Sequence, residues 1–94
     1  MLSWTGKKSG VSYSIKIKDS AAKSLSRIAK DDRRRLIHAI DRLRDEPLAG
    51  SALKGEFSGL RRLRIGRYRI VYEAVREELT ILVVRIGDRR EVYR

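Results

Sequence analysis

Residues 60–72 read LRRLRIGRYRIVY, and this stretch decides the fold. On both sides of Gly66, apolar and charged residues alternate, which is the pattern of β-strands with one buried face. A two-residue turn at Gly66 and Arg67 would place Ile65 opposite Tyr68, so that apolar side chains meet across the hairpin. The stretch therefore predicts a β-hairpin with an apolar face and an arginine-bearing face.

A third strand follows the hairpin. Alternation and β-branched residues predict strands at 60–65, 68–75 and 79–87, joined as an antiparallel meander.

The register of the second hairpin can also be predicted. A three-residue loop at 76–78 sets Arg69 opposite Arg85 and Tyr72 opposite Leu82. A shift of one residue would turn Arg85 toward the core, because successive strand residues point to opposite faces. We therefore predict that arginines stand side by side across all three strands.

The preceding residues predict one strand and two helices. Residues 12–18 alternate like a half-buried strand, and residues 48–58 read as a loop after Pro47. We expect Asp19 or Ser20 to cap the first helix and Asp31 or Asp32 to cap the second. The predicted apolar stripes are Ala21, Ala22, Leu25, Ile28 and Ala29 in the first helix, and Leu36, Ala39, Ile40 and Leu43 in the second.

These elements predict an α+β fold of order β-α-α-β-β-β. A helical hairpin packs on one face of a small, mainly antiparallel four-stranded sheet. We expect residues 1–10 to form a flexible N-terminal tail and residues 11–94 to form a single domain.

The composition is strongly basic, with 23 Lys and Arg against 12 Asp and Glu, and a formal net charge of +11. This charge predicts a polyanionic partner, with nucleic acid first and an acidic protein second. With no Cys and one His, we expect no metal and no other cofactor. No apolar run approaches the ~18 residues of a membrane span, so we expect a cytoplasmic protein without a membrane partner.

Two groups of basic residues are candidate binding sites. On the sheet face away from the helices, the strands carry Arg62, Arg64, Arg69 and Arg85. Like charges placed side by side destabilise a sheet, which favours an anion on that face over a merely solvated surface. At the start of the second helix, Lys30, Arg33, Arg34 and Arg35 oppose the helix dipole. Phosphate contact and a solvated helix face both remain open for this second group.

Three segments resemble the RelE branch of the RelE/ParE toxin superfamily. They are ALKG at 52–55, RLRIGRYRIVY at 62–72 and IGDRREVY at 86–93, and the similarity extends over about residues 13–93. The resemblance implies the same β-α-α-β-β-β fold. It also implies metal-independent cleavage of messenger RNA in the ribosomal A site by attack of a ribose 2′-hydroxyl on the adjacent phosphate.

The resemblance assigns residues to this activity. Five positions are expected to be catalytic, namely Arg62, Arg64, Arg69, Arg89 and Tyr93, whereas RNA or ribosome binding is expected of Lys30, Arg33, Arg34, Arg35, Lys54 and Arg85. Asp88 departs from the family, because many members have Lys or His after this glycine. Expected partners are the ribosome, messenger RNA and a cognate acidic or amphipathic antitoxin. Two alternatives remain, a ParE-like topoisomerase-inhibiting toxin without catalysis and a basic RNA-binding module.

Overall fold

The computed structural model describes residues 12–88. Their elements in chain order are β1 (Ser14–Ile17), α1 (Asp19–Ser26), α2 (Lys30–Arg42), β2 (Ser51–Ala52), β3 (Arg61–Ile65), β4 (Tyr68–Val75) and β5 (Thr80–Asp88). Single 3-10 turns at Gly55–Phe57 and Arg76–Glu78 precede β3 and β5. The predicted tail at residues 1–10 lies outside the described residues.

Within residues 12–88 the strands form one sheet in the order β1-β5-β4-β3-β2. β1 runs parallel to β5, and the other neighbouring pairs are antiparallel. The predicted α+β architecture is confirmed, with five strands instead of four. The additional strand, β2, lies in the predicted loop and pairs Ser51 with Arg62. A two-residue strand carries no alternation, so the sequence pattern could not reveal it.

The core lies between the helices and one face of the sheet. The largest fully buried side chains are Leu36 of α2 and Leu43 at its C-cap, together with Ile70, Tyr72, Ile81 and Val83 of the sheet. The stripe predicted for α2 is confirmed, because Leu36, Ala39, Ile40 and Leu43 are all buried. In α1, Ala21 and Leu25 are buried and Ala22 is exposed. The last two residues of the predicted stripe lie beyond the end of this helix at Ser26, where Ile28 packs against the core and Ala29 is exposed.

The predicted helix caps are wrong. Lys18 and Ala29 occupy the N-cap positions, and neither makes a side-chain capping hydrogen bond. Asp19, Asp31 and Asp32 lie instead in the first helical turns. Their carboxylates therefore act on the positive end of the helix dipole and not on individual N–H groups.

Tyr72 fixes the segment that follows α2. Its buried hydroxyl donates a hydrogen bond to the Pro47 carbonyl at 2.8 Å and accepts one from the Gly50 N–H at 2.9 Å. A Cβ atom at Gly50 would lie 2.6 Å from the backbone oxygen of Arg62, so only glycine fits this approach. The segment is thereby held against β3, and β2 forms.

The first hairpin has the predicted register. Ile65 pairs with Tyr68, Arg64 with Arg69, and Leu63 with Ile70 across the two-residue turn. Gly66 has a φ of +60°, which is why glycine occupies this position.

The register predicted for the second hairpin is wrong. Four residues, 76–79, connect β4 to β5, and Leu79 adopts the left-handed conformation with a φ of 50°. The fourth loop residue reverses which side chains of β5 point inward, so Val83 and not Leu82 pairs with Tyr72.

A β-bulge further along β5 reverses a second time which side chains point inward. The pairing shifts between Val71 and Tyr72, so that Val71 faces Arg85 and Ile70 faces Ile86. Arg69 consequently lies opposite Gly87 and not opposite Arg85. Arg85 still lies on the predicted face. The extra loop residue and the bulge each reverse the side of the sheet to which β5 side chains point, so their effects cancel at Arg85.

Candidate nucleic-acid interface

The sheet face turned away from the helices carries a cluster that we call the arginine face. It consists of Arg62, Arg64, Arg69 and Arg85. Arg64 and Arg69 are direct cross-strand partners, a position in which Cβ atoms lie about 5 Å apart. Arg62 and Arg85 flank Val71 from its two sides. The sequence prediction that these side chains share a face therefore agrees with the structure, whereas the predicted Arg69–Arg85 pairing does not.

Val71 shows how the arginine face is packed. It points away from the core cluster, yet only 4% of its surface is exposed. Its register partners on that face are Arg62 and Arg85, and Arg69 lies two residues along the strand. Arginine side chains can cover apolar surface with their methylene groups while the guanidinium stays accessible. Val71 is thus a buried apolar residue among the arginines of this face.

The four arginine side chains differ in burial. Arg62 and Arg69 are half-buried, Arg64 and Arg85 are exposed, and the Nε atom of Arg69 is buried. A half-buried guanidinium loses little further side-chain freedom when it binds, which favours rapid and oriented contact with a bidentate anion such as phosphate.

A depression of about 350 Å³ lies next to the arginine face. Its lining includes Gly50 and Ser51 of the segment held by Tyr72, together with Arg62 and Arg64. Ser51 is the strand partner of Arg62, so β2 supplies a hydroxyl on the same face as that guanidinium. The depression offers a concave place for one anionic group bordered by two cations.

Arg61 has a structural role that the sequence pattern did not indicate. It precedes Arg62 but points to the opposite side, where its guanidinium donates to the carbonyls of Gly50 at 3.0 Å and Leu48 at 3.3 Å. Only strand parity distinguishes Arg61 from Arg62, because the two residues are otherwise identical in type and neighbourhood.

Asp88 lies on the helix side of the sheet, opposite Tyr68. Its carboxylate forms an ion pair with Arg67, with 3.0 Å between the carboxylate oxygen and Nε, and only 19% of the Asp88 side chain is exposed. The Arg67 guanidinium also stands 5.4 Å from the centre of the Tyr68 ring. Asp88 therefore fastens the end of β5 to the turn between β3 and β4, and it does not face the arginines.

The basic start of α2 does not join the arginine face. Lys30, Arg33 and Arg34 belong to the helical layer, on the other side of the sheet. Arg33 donates to the Ser26 carbonyl at 3.3 Å. Arg35 pairs with Asp32 at 2.9 Å, and its guanidinium also approaches the Gly66 turn.

The remaining predicted positions are Lys54, Arg89 and Tyr93. Lys54 is exposed immediately before the turn at Gly55–Phe57. Arg89 and Tyr93 lie outside the described residues. Among residues 12–88, no group of three or more His, Cys, Asp or Glu is placed to hold a metal ion. In the same part of the chain, no helix is long and apolar enough to cross a membrane.

Comparison with known proteins assigns the chain to a family. The family model described as the ParE toxin of type II toxin-antitoxin systems, parDE, matches residues 15–93. No curated protein matches the chain.

Solved structures of toxins share the fold. The RelBE2 toxin-antitoxin complex from Mycobacterium tuberculosis matches with a TM-score of 0.79 and 25% identity, over 87% of this chain and 97% of that chain. The archaeal RelE-RelB complex from Pyrococcus horikoshii matches with a TM-score of 0.74 and 27% identity, over 86% and 99%. A metal-bound toxin from Helicobacter pylori matches with a TM-score of 0.73 and 26% identity, over 86% and 99%. Together with its fold, these matches show that the chain belongs to the RelE/ParE superfamily of type II toxin-antitoxin toxins.

Proposed function

We propose that this toxin is a metal-independent endoribonuclease that cleaves messenger RNA on the ribosome in the cytoplasm and thereby stops translation. The observation that carries the proposal is the arginine face. Four arginines share one side of a sheet, two of them direct cross-strand partners, and this concentration of positive charge on one face favours the binding of an anion there. The RNA backbone supplies such anions at regular spacing.

The proposed reaction needs charge stabilisation above all. The ribose 2′-oxygen attacks the adjacent phosphorus, the bond from phosphorus to the 5′-oxygen breaks, and a 2′,3′-cyclic phosphate and a 5′-hydroxyl result. The 2′-hydroxyl proton passes to a base, and the leaving 5′-oxygen takes up a proton. Negative charge grows on the phosphoryl oxygens in the transition state, where preorganised guanidinium groups stabilise it.

Arg64 and Arg69 are the proposed centre of this stabilisation, because they are paired across the hairpin. Arg62 and Arg85 lie on the same face and would bind neighbouring phosphates or add to the positive charge around the reacting phosphate. Arg89 and Tyr93 remain proposed catalytic residues. None of the arginines can act as the base, since arginine stays protonated in proteins.

The proposed dependence on the ribosome follows from the shape of the face. In-line attack requires the 2′-oxygen, the phosphorus and the leaving oxygen to be aligned, and alignment contributes a large part of the rate. The arginine face is an open sheet surface, and the depression beside it measures only about 350 Å³. A ribosome holding the message in the A site would supply the alignment that this face lacks.

A topoisomerase-inhibiting toxin is the second candidate, because the family model that matches the chain is that of ParE toxins. In both candidates the partner that neutralises the toxin is a cognate antitoxin. The two functions differ in target, and one protein preparation can be tested against both.

The test uses the wild-type protein in two assays. Toeprinting of a translated message should show cuts in the A-site codon, whereas the same RNA without ribosomes should be cut poorly. Cleavage should continue when EDTA is added and the ribosomes are stabilised by polyamine. A supercoiling assay with DNA gyrase should show no inhibition. Inhibition of gyrase without cleavage of the message would instead establish the second candidate.

A further inference from the structure

Asp88, the last residue of β5, lies next to the row of arginines proposed to stabilise the transition state. Across the strands, Arg64 pairs with Arg69, and Arg69 pairs with Gly87. In the next row of the sheet, Asp88 pairs with Tyr68. Asp88 is therefore one residue removed from the position opposite Arg69.

The turn between β3 and β4 holds Asp88. A carboxylate oxygen of Asp88 lies 3.0 Å from Nε of Arg67, a residue of this turn. The Asp88 side chain is only 19% exposed, whereas the Arg67 side chain is 72% exposed. The ion pair thus ties the end of β5 to the hairpin whose two strands carry Arg64 and Arg69.

Contacts with the helical layer restrict the turn in its own right. The hydroxyl of Tyr68, the residue after Arg67, is 3.4 Å from the carboxylate of Asp32 in α2. The Arg67 guanidinium stands 5.4 Å from the centre of the Tyr68 ring, a distance at which a cation and an aromatic ring attract each other. These contacts favour one position of the Arg67 guanidinium, which gives Asp88 a partner of defined place.

The end of β5 matters because proposed catalytic residues follow it. Arg89 is bonded directly to Asp88, and Tyr93 comes soon after in the sequence. Whatever fixes Asp88 also fixes the point at which this segment leaves the sheet. Where a reaction depends on alignment, a displacement of about 1 Å can cost about 10² in rate.

We propose that Asp88 and Arg67 are positioning residues for RNA cleavage. Their ion pair holds the end of β5 and thereby sets where the segment with Arg89 and Tyr93 begins relative to Arg69. This role rests on the proposed function. Neither residue touches RNA or transfers a proton in this role, because the Asp88 carboxylate lies on the helix side of the sheet and is occupied by Arg67.

The first experiment is single-turnover cleavage of ribosome-bound message by the full chain, which separates the rate in the bound complex from the affinity for ribosomes. The variants are Asp88→Asn, Arg67→Gln and the double variant that combines them. Arg76→Gln is the matched control, because it makes the same substitution at an exposed arginine of the other hairpin loop. Circular dichroism should show that all are folded, with thermal midpoints within about 8 °C of wild type, since a partly exposed ion pair contributes little to stability.

Each single variant should cleave about tenfold more slowly in the bound complex, as expected for a displacement smaller than 1 Å. The double variant should be no slower than either single one, because each single substitution already breaks the same ion pair. Arg76→Gln should cleave at the wild-type rate. The sign for Asp88→Asn is decisive, because removing a negative charge from a protein that binds a polyanion would by charge alone strengthen binding and leave the rate intact.

The second experiment needs no RNA. Trypsin cuts after arginine, and a cut after Arg89 requires the last residues of β5 to leave the sheet. Arg67→Gln lies far from this bond in the sequence and leaves the residues around it unchanged. It should raise the initial rate at which chains ending at Arg89 appear by about fivefold, because proteolysis follows the population of the opened form. Arg76→Gln should leave this rate unchanged, as followed by mass spectrometry.

Four results would overturn this role. Wild-type cleavage rates in both single variants would remove it and leave the ribonuclease proposal intact. Additive losses in the double variant would show that Asp88 and Arg67 act separately. Weaker ribosome binding by Arg67→Gln, with Asp88→Asn equal to wild type, would make Arg67 an RNA contact. Unchanged trypsin cleavage in Arg67→Gln would show that the ion pair does not hold β5. If wild-type protein itself cuts no message, the proposed function fails and the positioning role fails with it, whereas faster trypsin cleavage of Arg67→Gln would still establish the hold on β5.

Discussion

Replacing Tyr72 by phenylalanine should destabilise the domain by about 2–3 kcal/mol. The hydroxyl makes two hydrogen bonds, at 2.8 Å to the Pro47 carbonyl and at 2.9 Å from the Gly50 N–H. Each bond contributes about 1 kcal/mol net, and an unsatisfied buried N–H costs a further ~1 kcal/mol or more. The ring itself is retained, so no cavity of side-chain size forms.

The assay is urea unfolding followed by circular dichroism, with the thermal midpoint as a second measure. For a domain of this size, 2–3 kcal/mol corresponds to a midpoint lower by about 10–20 °C. Tyr68→Phe is the matched control. Its hydroxyl is 3.4 Å from the Asp32 carboxylate, a long contact, so its loss should cost less than about 0.5 kcal/mol. Equal stability of Tyr72→Phe and wild type would refute the view that this hydroxyl holds β2 against β3.

Three further perturbations have defined outcomes. Gly50→Ala should destabilise by about 1–3 kcal/mol in urea unfolding, because its Cβ would lie 2.6 Å from the Arg62 carbonyl oxygen. Leu79→Gly should leave the free energy of unfolding unchanged or raise it by up to about 1 kcal/mol in the same assay, because glycine adopts the observed φ of 50° without strain. A clear loss of stability would show that the leucine side chain makes stabilising contacts. Replacing the arginines at 33–35 by glutamine should lower the slope of log affinity for ribosomes against log salt by about 2, while leaving cleavage in bound complexes intact. An unchanged slope would identify this group as a solvated helix surface.

The hairpin of β3 and β4 was predictable because its turn allows only one register. Gly66 and Arg67 leave two residues in the turn, and apolar and charged residues alternate on both sides. Any shift by one residue would have placed charges in the core. The predicted bounds of β4, residues 68–75, agree with the structure, and those of β3 differ by one residue.

The pairing of β5 was not predictable from the same rule. Residues 81–84 read ILVV, so either parity buries apolar side chains and the pattern does not distinguish them. A three-residue loop would also require continuous pairing between β4 and β5, whereas the observed pairing is interrupted by a bulge. In the structure, the loop has a fourth residue, the left-handed Leu79, and a bulge shifts the pairing between Val71 and Tyr72. Together they keep Arg85 on the outer face without the predicted pairing.

The candidate site was predictable as a set of residues but not as an arrangement. Alternation alone places Arg62, Arg64 and Arg69 on one face. The neighbours of Arg85 depend on the bulge, and the structural role of Arg61 depends on carbonyls of a loop that has no pattern of its own. Long-range backbone contacts of this kind leave no periodic signal in a single sequence.

The central claim is that the arginine face stabilises the transition state of RNA cleavage. Single-turnover cleavage of A-site message by Arg69→Ala tests it most directly, with Arg76→Ala as a control that removes one exposed arginine from the loop between β4 and β5. We expect Arg69→Ala to lose about 10²–10³ in rate, as for one preorganised transition-state contact. Circular dichroism and the thermal midpoint establish that the variant is folded, so that a loss of rate reports on the missing cation. Wild-type cleavage by folded Arg69→Ala would contradict the claim.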